Sequence, residues 1–503
     1  MPDVMDKRKD DAEILKKGVD VLIIGGGITG AGVFNMLSAL GINAALIEAN
    51  DFAFGTSSRS SKLIHGGLRY LANGQFSVVR DSVRERDFLI EKSGIVELKN
   101  FLIPLDEFSW SRSSLRFGLW IYSLFSRKIK ARWYSREEIN NKYPFLENTP
   151  QKGGYVYAEG VVDDSRLVIQ NIMSGKAHGN IAMNYAELIS LDFDVDGVKQ
   201  ARIRDKITGE EFDVKLRILV NSAGPWVGRV FQMMGKRYPD LDSLSSMLKL
   251  SKGDHIIVRR DLYPVDLALA IRSPLDKRQV FIIPRGDVVI IGTTETYYRG
   301  SLEKPLPSEE EIDYLIESVR RYVNIRKEDI INAYSGIRPL FGKGEDLGKI
   351  SREYKIIKKD NIINVLGGKI TTYRTVSKKI SRIIMDSLGV KGNPEISFIY
   401  RRDPESVREE LKRNYSLEDD EVKYAYDIIY ENAFHLDDIL WRREGYFIFS
   451  DDSGVNEIQG CIGAMKKVLG YGDDILNEEK RSYMDSIYFP VESKKKINIQ
   501  FKY

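Results

Sequence analysis

Cysteine and histidine are scarce in this chain of 503 residues. The one cysteine, Cys461, excludes an intramolecular disulfide, a C-x-x-C redox pair and a cysteine-ligated iron–sulfur cluster. The four histidines, His65, His178, His255 and His435, lie far apart without the spacing of zinc ligands, so we predict no metal site. Any redox chemistry would therefore depend on an organic cofactor.

Long apolar runs and a large net charge are also missing. No run reaches the roughly 18–20 residues that a membrane span needs. Residues 1–18 are charged throughout and lack the apolar core of a signal peptide, so we interpret them as a frayed or helical N-terminal extension. A net charge of +3 argues against a dedicated nucleic-acid binder. We expect a cytoplasmic protein, and attachment to the inner face of the cell membrane stays open.

The chain length predicts more than one folding unit. A single hydrophobic core stops growing near about 250–300 residues, so this chain should form two or three domains. Short apolar strands alternate with helices, which is typical of a largely parallel sheet. Three strand–turn–helix junctions lie at residues 24–31, 221–226 and 366–371. One α/β domain assembled from three separated segments explains this spread, and the intervening segments would form a second domain.

The first junction carries a glycine pattern of the G-x-G-x-x-G type. Gly25, Gly27 and Gly30 follow the buried strand Val19–Ile24 and open a helix. This arrangement allows a tight turn, a close approach of backbone to pyrophosphate and close helix–strand packing. Glu48 closes the second strand about 20 residues on, where a carboxylate accepts from ribose hydroxyls. The pattern predicts a dinucleotide-binding turn.

The turn alone does not distinguish NAD from FAD. Residues 56–62 (TSSRSSK) form a hydroxyl-rich basic stretch soon after Glu48. A tightly held cofactor would use such a stretch for phosphate and flavin contacts, with Thr56, Ser57 and Ser61 as candidates. The alternative is a Ser-rich surface loop. We favour FAD.

Eight motifs resemble, in order, those of FAD-dependent, aerobic-type glycerol-3-phosphate dehydrogenases. They are residues 23–32 (IIGGGITGAG), 56–70 (TSSRSSKLIHGGLRY), 161–168 (VVDDSRLV), 221–226 (NSAGPW), 252–255 (KGDH), 291–294 (IGTT), 334–340 (YSGIRPL) and 367–374 (GGKITTYR). The likeness is strong over residues 19–385 and weaker through residues 437–443. Three departures are Glu295, where that family usually has Asp, Asp254, where Ser or Thr is common, and an N-terminal extension that is longer than usual.

The resemblance implies a fold. It is an α/β, Rossmann-type FAD-binding domain of the amino-acid-oxidase-like flavoprotein class, with an α+β substrate domain and a C-terminal helical domain. The predicted boundaries are 1–18 for the N-terminal extension, 19–95, 155–245 and 335–390 for the discontinuous FAD-binding domain, 96–154 and 246–334 for the substrate-binding domain, and 391–503 for the C-terminal helical domain.

The resemblance also implies the oxidation of sn-glycerol 3-phosphate to dihydroxyacetone phosphate, with hydride transfer from C2 to flavin N5. A phosphate dianion needs fixed cations, ideally Arg. Within the motif region, substrate-binding candidates are Arg69, Tyr70, Arg352 and Lys369. Arg338 would polarise the C2 oxygen and stabilise negative charge as the proton leaves.

Two histidines are candidates for the proton acceptor, because imidazole titrates near working pH. We favour His255 as the catalytic base and assign His65 to the flavin site. The remaining cofactor-binding candidates lie at the second and third junctions: Gly224, Gly368 and Thr371. The helix after Gly368 would direct its N-terminus at the flavin ring and favour the anionic reduced form.

The electron acceptor stays open at this point. We favour a quinone as the acceptor, and the alternative is an oxidase that passes electrons to oxygen with peroxide formation. Two other functions are also alternatives, namely an FAD-dependent amine or amino-acid oxidase and a flavin-loaded subunit without turnover. Residues 110–134 combine basic and aromatic residues around an apolar centre, which suits a membrane-interface segment. An amphipathic helix that covers the substrate domain is the alternative. Oligomeric state is undetermined, with a homodimer among the alternatives.

Overall fold

The structure is a computed structural model that describes residues 4–68, 74–126, 130–235, 237–245, 247–342 and 354–488. Three predicted substrate-binding residues, Arg69, Tyr70 and Arg352, lie outside the described residues. The helices and strands belong to two large sheets with helices packed on them and to a helical C-terminal part.

The strands in chain order are β1 (Val19–Ile24), β2 (Ala44–Ile47), β3 (Leu63–Ile64), β4 (Glu97–Pro104), β5 (Arg132–Tyr134), β6 (Gly154–Val161), β7 (Ile181–Met183), β8 (Ala186–Asp194), β9 (Gly197–Asp205), β10 (Glu211–Asn221), β11 (Leu248–Arg259), β12 (Ala268–Arg272), β13 (Gln279–Arg285), β14 (Val288–Gly292), β15 (Thr296–Tyr297), β16 (Ile330–Phe341), β17 (Lys355–Lys359) and β18 (Ile362–Leu366).

The helices in chain order are α1 (Val4–Lys16), α2 (Ile28–Ala39), α3 (Phe76–Lys92), α4 (Arg112–Phe125), α5 (Arg136–Lys142), α6 (Asp164–Ala177), α7 (Val227–Met234), α8 (Pro239–Ser245), α9 (Glu309–Val319), α10 (Tyr373–Leu388), α11 (Arg408–Tyr415), α12 (Val422–Glu431), α13 (Tyr446–Phe449), α14 (Ile458–Leu469) and α15 (Asp473–Ser486). Among the described helices, none combines the length and the apolar character that a bilayer crossing requires.

The first sheet is assembled from strands that lie far apart in the chain. Its strand order is β17-β18-β10-β1-β2-β7, and β1 pairs in parallel with both β10 and β2. The strand β18 pairs in parallel with β10. The three central strands β1, β10 and β18 come from distant parts of the chain, and each is followed by one of the three predicted junctions. Because parallel strands end at one sheet edge, the three turns lie together.

The second sheet contains ten strands in the order β15-β11-β14-β13-β12-β4-β6-β3, with β16 paired to β11 and β5 paired to β6. The predicted FAD-binding segments 155–245 and 335–390 begin within β6 and β16, and both strands pair within this second sheet. The predicted boundaries therefore fall within strands of the second sheet, and the chain passes from the second sheet to the first after β6 and after β16. The strand β16 runs antiparallel to β11 along nearly its whole length, so Ser251 lies opposite Arg338 and His255 opposite Tyr334.

The predicted N-terminal extension is an ordered helix over its described residues. Helix α1 packs against β10 and α14. Its Arg8 is buried and donates two hydrogen bonds of 2.8 Å to the carboxylate of Asp205. Arg8 also donates to the carbonyl of Asn184 at 2.7 Å. These buried contacts rule out the frayed alternative for residues 4–16.

The C-terminal helices are joined to the first sheet by a buried cluster of charges. The carboxylate of Asp51, which follows β2, accepts from Arg442 at 2.6 Å and from Arg443 at 2.8 Å. Burial alone would raise the pKa of Asp51, but the two guanidinium groups hold it well below its usual range. A buried carboxylate with two Arg partners fixes one relative position of the two parts, since losing a partner would leave an uncompensated buried charge.

Candidate functional site

The first junction is built on a backbone contact that only glycine permits. Gly25 has a φ of +106°, and a Cβ atom there would lie 2.6 Å from the carbonyl oxygen of Ser222. A Cβ atom on Gly30 would lie 2.0 Å from the carbonyl oxygen of Gly25. The end of β1 is thereby pressed against the end of β10 and against α2, as the glycine pattern predicts.

The N-terminus of α2 faces the space between the junctions. The backbone N–H of Ile28 donates to the hydroxyl of Ser57 at 3.0 Å, and a Cβ atom on Gly27 would lie 3.2 Å from that same oxygen. The predicted cofactor residues Gly27 and Ser57 are therefore neighbours. The first N–H groups of a helix have no partner within the helix and favour a phosphate, and Ser57 adds a hydroxyl there.

Glu48 lies at the end of β2 beside this turn, as predicted. Its carboxylate accepts from the N–H of Gly26 at 2.8 Å and from the N–H of Asn50 at 2.9 Å. Burial raises the pKa of Glu48, although these two backbone donors oppose the shift. Carboxylate oxygens have further lone pairs, so the fixed group can still accept hydrogen bonds from a ribose.

The third junction has the conformation that its glycines predict. Gly368 has a φ of +113°, and the nearest atom to a Cβ there would be Oγ1 of Thr29, 3.9 Å away. Open space thus lies beside this backbone. The hydroxyl of Thr371 accepts from the N–H of His65 at 3.4 Å, so these two predicted cofactor residues are adjacent.

One cavity joins the three junctions. Its lining includes these predicted site residues: Gly25, Gly27, Glu48, Thr56, Ser57, Ser61, His65, Gly224, Arg338, Gly368, Lys369 and Thr371. Residues that sequence reasoning did not assign also line it, among them Arg59, Thr293 and Gly336. These three lie inside quoted motifs, but nothing in their local pattern separated a lining residue from a structural one.

The hydroxyl-rich stretch lies on β16 of the second sheet. Thr56 donates to the carbonyl of Ile337 at 2.5 Å. A Cβ atom on Gly336 would lie 2.3 Å from the carbonyl oxygen of Arg59, so β16 needs glycine where the stretch crosses it. These contacts hold the stretch against the second sheet.

His255 is buried behind Ser61. Its Nε2 lies 2.8 Å from Oγ of Ser61, and its ring stacks on Tyr334 at a centroid distance of 4.7 Å. Ser61 lines the cavity, whereas His255 is 1% exposed and is not among the lining residues. Burial, with Arg338 and Lys62 nearby, holds the pKa of His255 well below its usual range. The imidazole is therefore neutral near pH 7 and can accept a proton through the Ser61 hydroxyl.

Arg338 lies on β16, and its guanidinium group passes next to the backbone of Gly253 to reach the cavity. Its Nη2 donates to the hydroxyl of Thr293 at 3.0 Å, and its Nη1 lies 3.9 Å from the carboxylate of Glu295. A Cβ atom on Gly253 would lie 2.5 Å from Nη2, so any larger residue would displace the guanidinium. A fixed guanidinium in this cavity suits an anionic or partly anionic oxygen of a substrate.

The residues present fit FAD. Two glycine turns at strand ends leave room for a close backbone approach, and the start of α2 and Ser57 offer hydrogen-bond donors to a pyrophosphate. Glu48 lines the same cavity at the end of the second strand, the position from which a carboxylate can accept hydrogen bonds from a ribose in this type of fold. Among the described residues, no group of three or more His, Cys, Asp or Glu side chains is placed to hold a metal ion.

The close approach of Gly25 gives a prediction about cofactor retention. Gly25→Ala should lose most of its FAD, because the new methyl group would collide with the Ser222 carbonyl in a left-handed conformation that costs an L-residue about 1–2 kcal/mol. Flavin absorbance per purified protein measures the loss. Gly41→Ala is the matched control, since Gly41 has a φ of +71° but no atom within 4 Å of its Cβ position. Equal FAD content in both variants would contradict the assignment.

Comparisons with known proteins agree with this geometry. Residues 20–371 match the family described as FAD dependent oxidoreductase. The chain is 34% identical over 394 residues to a Staphylococcus haemolyticus protein named aerobic glycerol-3-phosphate dehydrogenase, and the match covers 75% of this chain and 69% of that one. It is 35% identical over 383 residues to the protein of the same name from Staphylococcus aureus strain USA300, covering 73% and 67%.

Solved structures share the fold. The glycerol-3-phosphate dehydrogenase of Bacillus halodurans, complexed with FAD, superposes with a TM-score of 0.74 at 23% identity and covers 97% of this chain and 98% of its own. The glycine oxidase of Bacillus cereus ATCC 14579 superposes with a TM-score of 0.55 at 17% identity over 75% of this chain and 98% of its own. The predicted fold class is confirmed. The chain belongs to the FAD dependent oxidoreductases, and among them to the aerobic glycerol-3-phosphate dehydrogenase family, with FAD as its cofactor.

Proposed function

We propose that this chain oxidises sn-glycerol 3-phosphate to dihydroxyacetone phosphate and passes the electrons to a quinone. The observation that carries the proposal is the composition of one cavity, in which Arg338 and Lys369 share the space of the dinucleotide turns with Ser61. The relatives at 34% and 35% identity are named dehydrogenases, which supports the substrate and favours a carrier over oxygen as acceptor.

Lys369 and Arg338 can bind two different groups of the substrate, the phosphate and the reacting oxygen. Lys369 lies at the third junction and lines the cavity, where its ammonium group can pair with the phosphate dianion. The guanidinium of Arg338, fixed by Thr293, can donate to the C2 oxygen and stabilise the negative charge that develops there. Arg69, Tyr70 and Arg352 remain predicted partners of the substrate.

Proton removal is assigned to the Ser61–His255 pair. FAD, held at the three junctions, would supply the acceptor for the hydride of C2. The C2 hydroxyl proton passes to Oγ of Ser61, and the Ser61 proton passes to the neutral Nε2 of His255 across 2.8 Å. The C2–O bond becomes a carbonyl, so one hydride and one proton leave the alcohol. The depressed pKa of His255 lets it release the proton readily once the product has formed.

Anaerobic reduction tests both parts of the proposal. Glycerol 3-phosphate should bleach the flavin absorbance of the purified protein, whereas glycine, an amino-acid-oxidase substrate by class, should leave it unchanged. A soluble quinone analogue should then restore the absorbance faster than oxygen does. No bleaching with glycerol 3-phosphate would reject the substrate, and faster reoxidation by oxygen with peroxide formation would replace the dehydrogenase proposal by the oxidase alternative.

We further propose that the protein works at the inner face of the cell membrane, with α4 as the contact. Helix α4 buries Leu115 and Leu119, whereas Phe117, Trp120 and Leu124 are 60%, 58% and 64% exposed. The spacing of three and four residues places these exposed side chains on one helical stripe. An apolar stripe next to basic residues suits insertion into the headgroup region of an anionic bilayer.

Replacing the centre of this stripe should abolish lipid binding. Trp120→Glu adds a charge that would have to enter the lipid, so we expect it to remain with the unbound fraction when vesicles containing phosphatidylglycerol are floated. Val195→Glu serves as control, because Val195 is 88% exposed in the turn between β8 and β9, away from α4. Flotation of Trp120→Glu at the wild-type level would remove the membrane role of α4.

A further inference from the structure

A buried carboxylate lies directly behind the cavity and takes no part in the chemistry described so far. Asp254 precedes His255 in β11 and is 0% exposed. Its Oδ1 accepts from the Ser335 hydroxyl at 2.5 Å, and its Oδ2 accepts from the Thr294 hydroxyl at 2.6 Å. The backbone N–H of Asp254 donates to the same Thr294 oxygen at 3.0 Å. Thr294 is thus held by two bonds to one residue.

Thr294 directly follows Thr293, the residue that orients Arg338. Thr293 accepts from Nη2 of Arg338, and the guanidinium packs on the backbone of Gly253. Thr293 lines the cavity together with Arg338, whereas Thr294 is buried and bonded to Asp254. A shift of Thr294 would move Thr293 with it.

We propose that Asp254 is a positioning residue for Arg338. In its ionised form it holds Thr294, and through the adjoining Thr293 it keeps the guanidinium aligned with the substrate oxygen. This inference rests on the proposed function. The resemblance to the family at this position points to Ser or Thr, which cannot ionise, so the device would belong to this chain and to relatives that carry Asp.

The surroundings of Asp254 make its ionisation sensitive to pH. Lys252 lies 3.8 Å from Oδ1, but its ammonium group is 2.5 Å from Glu311 on α9, so that its charge is largely engaged there. Burial, the largest influence, and the like charge of Glu311 raise the pKa of Asp254 to about 6, although Ser335, Thr294 and Lys252 oppose the shift. A protonated carboxyl group can accept fewer hydrogen bonds, and one of its two hydroxyl partners would lose its acceptor.

The pH dependence of the flavin reduction rate distinguishes the role of Asp254 from that of His255. Burial lowers the pKa of His255 and raises that of Asp254 to about 6, so an acid limb that disappears in Asp254→Asn belongs to Asp254 and not to His255. The substrate phosphate also titrates near about pH 6, but it does so equally for every variant. Comparison between variants at saturating substrate therefore isolates the contribution of the protein.

The test is stopped-flow anaerobic reduction of the FAD-loaded protein by glycerol 3-phosphate. For the wild type, we expect the rate constant to fall about tenfold from about pH 7 to about pH 5 as Asp254 becomes protonated. Asp254→Asn should be about tenfold slower near pH 7, with FAD content unchanged and with that acid limb removed. Asp205→Asn, which removes a buried carboxylate on β9 that is bonded to Arg8 of α1, should keep the wild-type profile.

A second pair of variants covers a failure of Asp254→Asn to fold. Thr294→Val removes the hydroxyl and should reproduce the slower, pH-independent reduction, whereas Thr294→Ser keeps the hydroxyl and should retain the wild-type profile. The double variant, with both Asp254→Asn and Thr294→Val, should reduce its flavin no more slowly than either single variant, because both substitutions break the same hydrogen-bonded connection.

The outcomes are distinct. Wild-type rates and a wild-type acid limb in both Asp254→Asn and Thr294→Val would overturn the inference while leaving the proposed function intact. No bleaching of the wild type by glycerol 3-phosphate would reject the proposed function, and the inference with it.

Discussion

The contact between Gly25 and the carbonyl of Ser222 is the constraint on which the site depends. It joins the ends of β1 and β10, which are nearly 200 residues apart in the chain, at van der Waals distance. With β18 paired on the other side of β10, the three turns that follow these strands converge on one edge of the first sheet. A side chain at Gly25 would open this edge. The dinucleotide turn, the start of α2 and the third junction would then lose their common cavity.

The second sheet brings the substrate-facing groups to the same cavity. The long pairing of β11 with β16 places Gly253 opposite Gly336, and both glycines make room for neighbouring groups. Gly336 admits the hydroxyl-rich stretch, and Gly253 admits the guanidinium of Arg338. Gly25, Glu48 and Gly368 therefore reach the cavity from the first sheet, and Arg338 reaches it from the second.

The parts of the site that could be predicted carry local signals. The turn at Gly25–Gly30, Glu48 at the end of β2 and the start of α10 all follow from glycine spacing, apolar strands and helix boundaries read along the chain. The parts that could not be predicted depend on partners brought together by the sheet register. Asp254 meets Ser335 because β11 and β16 pair in this register, and Ser61 meets His255 because the hydroxyl-rich stretch packs on β16. The docking of α1 through Arg8 likewise depends on Asp205, 197 residues away.

The central claim is that Arg338 acts on the reacting oxygen and not on the cofactor, and Arg338→Ala tests it most directly. We expect this variant to keep the FAD content of the wild type while glycerol 3-phosphate reduces its flavin at least about a hundredfold more slowly, the loss that is typical when a group stabilising developing charge is removed. A parallel loss of FAD and of reduction rate would contradict this role, because Arg338 would then be a structural support of the cofactor site.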